Sequence, residues 1–231
     1  ADRDLYLADT DFVALPGRGL HALLDPGYLQ ARAAQIQPAH SLGRAQPGQP
    51  LDSGWLHAAD SDTPEHGTAH FSIVDAYGNA VAMTSSVEAS LGSLHMVGGF
   101  VLSNQLTDFA AQPTDAHGLP RANRLQAGKR PRSSMAPVLV LDLHAPRPQA
   151  QLYLVTGSPG GGAIIQYVVK TLVATLDWGL DAQQSASLMN FGAFNHPSTL
   201  LDGSHPHAAT AALADTLRRW GHQVDARAQT S

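Results

Sequence analysis

Two hydroxyls and one glycine-rich turn are the groups in this sequence best placed to do chemistry. Thr68 follows Gly67 and opens the run Thr-Ala-His-Phe-Ser-Ile-Val-Asp, and Ser86 lies near the end of the run that starts at Asn79. Both runs are rich in strand formers and are separated by Ala76-Tyr77-Gly78, which predicts a β-hairpin. Antiparallel pairing brings Thr68 and Ser86 near each other at one end of the sheet, where two hydroxyls can meet. Such a hydroxyl is a nucleophile only if a base takes its proton. An ordinary hairpin with hydroxyls on its polar face has the same pattern.

The glycine-rich turn is Gly157-Ser158-Pro159-Gly160-Gly161-Gly162, directly before Ile164 to Leu176, where apolar residues recur near every fourth position. A turn of this kind entering a helix presents unpaired N–H groups and the positive end of the helix dipole, so it can hold an anion. It lacks the Gly-Lys-Ser/Thr ending of a phosphate loop and the spacing of a dinucleotide fingerprint, so an oxyanion hole is the better use of the same physics. A Ser-His-Asp triad is disfavoured, because Gly-x-Ser-x-Gly is absent and Ser158 is followed by Pro159. With no cysteine there is neither a disulfide nor a thiolate nucleophile. Twelve histidines raise the question of a metal. His205 and His207 sit in a Pro-containing loop, and His66 and His70 lack the glutamate of a zinc-protease helix, so no metal and no cofactor is expected.

These groups need a scaffold. Val97 to Ser103 reads as a strand led in by Gly98-Gly99, and Ala136 to Asp142 and Gln151 to Thr156 read as two core strands joined across a Pro-rich turn at Ala145 to Pro148. Residues 110 to 128 carry no periodicity and read as a surface loop, one suited to covering a site. Helices are expected after the glycine turn, at Asp181 to Leu188 with Asp181 near the N-cap, and at Ala208 to Trp220, before a last strand at Gln223 to Ala226. Strands that accumulate without helices between them favour an antiparallel sheet, and helices that follow in bulk make the class α+β. Residues 1 to 66 are loop-rich, with a short helix at Tyr28 to Ile36. Leu5, Tyr6, Phe12, Leu23, Leu24, Tyr28 and Ile36 are expected to pack on something not in this chain, and the opening in a helix end implies chain upstream.

At 231 residues, 43% hydrophobic and 14% charged, the chain has the composition of a globular domain with a sizeable core. A net charge of −5 with no basic run longer than Lys129-Arg130 makes nucleic acid a poor partner. No apolar stretch approaches the roughly 18 residues of a membrane span.

Four segments in order carry a family resemblance: Thr68 to Ser72 with Val74-Asp75 and Gly78 to Val81, Asn104-Gln105 with Asp108-Phe109, Lys129 to Pro137, and Thr156 to Gly161. Together they resemble the γ-glutamyltranspeptidases, which are N-terminal-nucleophile hydrolases. The resemblance implies an αββα sandwich made as a zymogen that cuts itself before Thr68, with 1–67 the end of the large subunit and 68–231 the small, catalytic subunit. The new α-amine of Thr68 would then be the base for its own hydroxyl. The resemblance further implies that Thr68 forms a γ-glutamyl ester, that Ser86 hydrogen-bonds it, and that Gly160 and Gly161 donate N–H groups to the oxyanion. Glu88, Gln105 and Asp108 would hold the substrate α-ammonium and Ser133 and Ser134 its α-carboxylate, which fits their chemistry as acceptors and donors. The implied partners are a glutathione-like γ-glutamyl amide, an amino acid, peptide or water as acceptor, and an upstream large-subunit region that supplies a further carboxylate-binding arginine. The implied compartment is periplasmic or secreted.

Departures from the family pattern are Ala69 for a threonine, Ser86 for a threonine, Glu88 where some members have asparagine, Ser103 for an asparagine, and Arg132 where many have leucine. Arg132, next to the carboxylate-binding serines, is expected to face solvent, the alternative being that it alters acceptor choice. The alternatives are a glutaryl or cephalosporin acylase on the same scaffold, which needs no ammonium clamp, and a non-catalytic interaction module.

Overall fold

Strand β1 (Thr68–Val74) pairs antiparallel with β2 (Ala80–Ser86) in the register Thr68↔Ser86 through Val74↔Ala80. Asp75 closes the turn, its Oδ1 accepting the N–H groups of Tyr77 and Asn79 at 2.9 and 2.8 Å, while Gly78 takes a φ of 85°. Strand alternation then sets Thr68, His70 and Ser72 across from Ser86, Thr84 and Ala82 on one face, and Phe71, Ile73, Val81 and Met83 on the other. The computed structural model describes all residues except 18, 51–53, 61–66, 145–150, 205–206 and 228–231. Within it the second face is uncovered, with Phe71 and Ile73 42% and 54% exposed. An apolar face left open in this way marks a surface that meets something else.

The single strand expected from Val97 to Ser103 is instead two short ones, β3 (Met96–Val97) and β4 (Phe100–Val101), folded back on each other. Gly98 and Gly99 are the turn itself, with φ of 59° and 87°, so they break the strand rather than lead into it. A 3-10 turn at Gln105–Asp108 follows. β5 (Val138–Asp142) and β6 (Gln151–Thr156) pair antiparallel with an irregularity between Val140 and Leu141, and β6 runs beside β1 and β2. The Pro-rich turn expected between them lies outside the described residues.

After the glycine turn, a 3-10 turn at Gly161–Ala163 leads into α4 (Ile164–Leu176), which buries Ile164, Tyr167, Val168 and Ala174. Asp181 caps α5 (Ala182–Ser187) in a reciprocal capping box with Gln184. Two strands absent from the sequence reading come next, β7 (Phe191–Ala193) and β8 (Ser198–Asp202). β8 pairs antiparallel with β7 and parallel with β9 (Gln223–Arg227), and α6 (His207–Arg219) is the crossover that turns the chain back into the same direction. The pairing is therefore mixed rather than wholly antiparallel, and strands and helices alternate in the last quarter of the chain. Among the described residues no helix is long and apolar enough to cross a membrane.

The first part of the chain forms α1 (Asp2–Tyr6), α2 (Leu20–Leu23) and α3 (Pro26–Ala33), the last capped by Asp25. Tyr6 is buried inside this chain against Trp55, with ring centroids 5.0 Å apart, and its hydroxyl donates to the Gly48 carbonyl at 2.6 Å. It needs no outside partner, whereas Leu24 and Ile36 stay exposed. Charge ties this part to the rest: Arg130 donates its N–H to Asp9 at 2.8 Å and grips the same carboxylate with its guanidinium at 3.0 and 2.7 Å. That fork holds the Asp9 carboxyl well below the usual carboxylate range.

Candidate active site

The end of the hairpin is built around a peptide bond. Gly67 has a φ of 62°, and a Cβ there would lie 2.4 Å from the Glu88 carbonyl oxygen, so only glycine fits the approach. The Ser86 hydroxyl donates to the Gly67 carbonyl, and its oxygen accepts the Glu88 N–H at 2.8 Å. The carbonyl polarised in this way is the one that precedes Thr68. The family resemblance pairs Ser86 with the Thr68 hydroxyl; in the uncut chain the proton of Ser86 goes to the carbonyl next to it. Glu88 is only 5% exposed and takes a φ of 71°, a left-handed conformation supported by its N–H bond to Ser86.

His70, two residues along the same face as Thr68, fixes the position of the glycine turn. A Cβ on Gly157 would come within 2.1 Å of the His70 ring, so the ring lies flush on the glycine backbone. His70 Nδ1 is 2.8 Å from Thr84 Oγ1 and Nε2 is 3.1 Å from Ser72 Oγ, and burial lowers its pKa. The head of the turn thereby meets the face of β1 that carries Thr68. Gly160 and Gly161 take φ of 127° and 55°, Gly160 accepts the Ala163 N–H at 3.0 Å, and Gly161 is buried. The first turn of a helix carries N–H groups without acceptors inside the helix, which suits an oxyanion.

Beyond the hairpin end, Ser103, Gln105, Leu106, Asp108, Pro131, Arg132, Ser133 and Met135 line a cavity of about 450 Å³. Three of the expected substrate-binding residues, Gln105, Asp108 and Ser133, thus share one cavity. The Gln105 amide donates to Asp108 Oδ2 at 3.3 Å and turns its nitrogen, not its oxygen, toward that carboxylate. Asn104 joins this wall to Glu88: its Oδ1 accepts the Ala89 N–H at 2.9 Å and its own N–H donates to Val87 at 3.2 Å. Ser134 stands behind the opposite wall, buried, its hydroxyl oxygen accepting from the Arg3 guanidinium.

Arg132 does not face solvent. Its side chain is 5% exposed and ion-pairs with Asp4 and Asp60, both at 3.5 Å, so a cation from the cavity wall holds two carboxylates of the first part of the chain. Nor is the stretch from 110 to 128 only a surface loop. Lys129 Nζ donates to the carbonyls of Ala122 and Arg124 and to Gln126 Oε1, and Ala122 and Asn123 are buried. Asn123 has no signal in the sequence, because an asparagine in an aperiodic stretch reads as a turn former. Among the described residues no three or more His, Asp or Glu side chains gather as metal ligands; His66 and His205 lie outside those residues.

The sequence model described as Gamma-glutamyltranspeptidase matches residues 1–231. The glutathione hydrolase proenzyme of Escherichia coli (strain K12) is 36% identical over 197 residues, which cover 83% of this chain and 31% of that protein. This chain therefore spans about a third of the length of that curated relative. A solved acivicin-inhibited γ-glutamyltranspeptidase superimposes with a TM-score of 0.57 at 31% identity, covering 68% of this chain and 82% of that one. Cephalosporin acylase from Bacillus halodurans shares the fold, with a TM-score of 0.75 over 97% of this chain and 35% of that one at 20% identity.

Proposed function

Since this chain belongs to the γ-glutamyltranspeptidase family, with an N-terminal-nucleophile hydrolase fold, we propose that it is the end of the large subunit, 1–67, and the small subunit, 68–231, of a γ-glutamyltransferase and glutathione hydrolase. The observation that carries the reading is the hydrogen bond from Ser86 to the Gly67 carbonyl, directly before a threonine. Attack of Thr68 Oγ on that carbonyl carbon puts negative charge on the oxygen that Ser86 already contacts. Breaking the Gly67–Thr68 bond moves the Gly67 acyl group onto Thr68 Oγ and frees the Thr68 nitrogen as an amine. Water then hydrolyses the ester to a Gly67 carboxylate and a free Thr68 hydroxyl.

In the cut enzyme the α-amine of Thr68 takes the hydroxyl proton as Oγ attacks the γ-carbonyl carbon of the substrate, and delivers it to the departing amine. The N–H groups of Gly160 and Gly161 hold the oxyanion. The γ-glutamyl ester passes to an amino acid or peptide amine, or to water. Glu88, Gln105 and Asp108 hold the α-ammonium, with the Asp108 carboxylate on the cavity wall, and Ser133 on the same cavity meets the α-carboxylate, backed by the buried Ser134. After the cut, the pairs Asp4 with Arg132, Asp60 with Arg132 and Asp9 with Arg130 keep the two pieces together.

The test is the full-length precursor. Intact-mass analysis should find a fragment beginning at Thr68, and the cut enzyme should turn over a γ-glutamyl anilide far faster than a glutaryl anilide. A cut at another bond, or equal turnover of the two anilides, would overturn the reading.

A further inference from the structure

We infer that Asn123 is a positioning residue that sets the separation of the two walls of the cavity; this rests on the substrate reading proposed above. Asn123 is 1% exposed. Its Oδ1 accepts the backbone N–H of Arg132 at 3.0 Å, and its Nδ2 donates to the backbone carbonyl of Asp108 at 2.8 Å and to Asp60 Oδ2 at 3.2 Å. The orientation of the amide is dictated by its neighbours, since only the NH2 end can face two oxygens and only the oxygen can face an N–H. Its own backbone is anchored too, the Asn123 carbonyl accepting the Ala110 N–H at 2.9 Å.

One planar amide therefore joins the main chain of Asp108 to the main chain of Arg132, and both residues line the cavity. An α-amino acid carries its ammonium and its carboxylate on a single carbon. The acceptors on the Asp108 side and the donors at Ser133 must therefore keep a fixed spacing, because a shift of about 1 Å in a bound substrate can cost on the order of a hundredfold. Long side chains would let that spacing drift. A buried amide bonded main chain to main chain does not. The third bond, to Asp60, ties the spacing to the part of the chain before Gly67, and Arg132 grips the same Asp60 carboxylate at 3.5 Å.

Asn123→Asp keeps the size of the side chain but replaces the donor facing Asp108 and Asp60 with an acceptor. Adding Asp60→Asn restores a donor at position 60 and the net charge, without restoring the bond to the Asp108 carbonyl. In the full-length enzyme, thermal unfolding and the kinetics of both anilides would be measured for wild type, single and double variants. The single variant should raise KM for the γ-glutamyl anilide roughly tenfold, the loss of one well-made buried hydrogen bond, with kcat little changed and glutaryl anilide kinetics unaltered. Asp60→Asn alone, measured beside them, reads what loss of the Asp60–Arg132 ion pair costs by itself; relative to that variant the double should regain most of the lost Tm and keep a KM raised roughly tenfold. If KM recovers together with Tm, or if both substrates suffer alike, Asn123 only supports the fold and the inference is wrong. Where the single variant does not fold, the double variant carries the same test. A wild type without preference for the γ-glutamyl anilide removes the substrate reading and the inference with it; a wild type with that preference, shared undiminished by the variants, removes the inference alone.

Discussion

Replacing Ser86 with alanine in the full-length precursor removes the one hydroxyl that meets the Gly67 carbonyl across the strand pair. If that hydroxyl holds the oxyanion during self-cleavage, its loss raises the barrier as the loss of an oxyanion-hole donor does, by about 2.7–4 kcal/mol or roughly 10²–10³ in rate. Ser86 is half-buried and solvent can reach the bond, so the lower end, about a hundredfold, is expected. Ser86→Thr keeps the donor and should cut at near the natural rate. The assay is a time course at 25 °C of freshly purified precursor, with the Thr68 fragment followed by intact mass. Thermal unfolding accompanies it, because Ser86 also accepts the Glu88 N–H, and a loss of about 1 kcal/mol there would lower Tm by about 1 °C in a precursor roughly three times as long as this chain. Cleavage of the alanine variant within about threefold of the natural rate, with Tm unchanged, would refute the assignment and leave Ser86 as a strand-end residue that shapes Glu88.

Three further predictions test the neighbouring parts. Gly157→Ala places a methyl within 2.1 Å of the His70 ring and should abolish turnover, while pairing it with His70→Ala should return part of the activity; an active single variant would separate the turn from β1. Asp108→Asn should weaken binding of γ-glutamyl substrates about tenfold to a hundredfold, the loss of a charge-assisted bond of roughly 1.5–3 kcal/mol, and leave glutaryl substrates alone; equal losses on both would make Asp108 a turn residue. His70 has a folded pKa below its ordinary value of 6.5, so the unfolded chain binds its proton first and stability should fall as pH drops below about 6.5. His70→Gln should flatten that part of the curve of Tm against pH, and parallel curves for variant and wild type would show that the ring does not titrate against folding.

The hairpin and α4 are legible in the sequence because each is a local decision. Alternation over seven residues with an Asp and Gly turn permits one register of β1 on β2, and an apolar repeat after a glycine turn permits one buried helix face. Thr68, Ser86 and Gly67 inherit their geometry from that register, so their meeting follows from local pattern alone. β7 and β8 are not legible, being three and five residues, and β8 gains its parallel neighbour only when α6 carries β9 back alongside it. Such short strands draw their stability from tertiary pairing, which leaves no period in the chain. The glycine pair at 98–99 shows the opposite error: a turn signal inside an apolar run reads as the run's entrance, when positive φ at both residues makes it the bend.

The cavity walls divide along the same line. Gln105, Asp108 and Ser133 are picked out by the family resemblance and not by local pattern, which reads polar residues after a strand as caps and turns, and the structure lines one cavity with all three. Arg132 misleads because an arginine is assigned to solvent unless a buried partner is known, and its partners lie 128 and 72 positions earlier in the chain, at Asp4 and Asp60. Burying that cation costs desolvation that two carboxylates offset only while they stay close, so the wall of the cavity depends on the part of the chain before Gly67. Removing one carboxylate should therefore be felt at the cavity even though neither Asp4 nor Asp60 lines it. It follows that a cut between Gly67 and Thr68 leaves a working cavity only if the first piece stays bound, and the ionic contacts from Asp4, Asp9 and Asp60 to Arg130 and Arg132 are where that attachment is made.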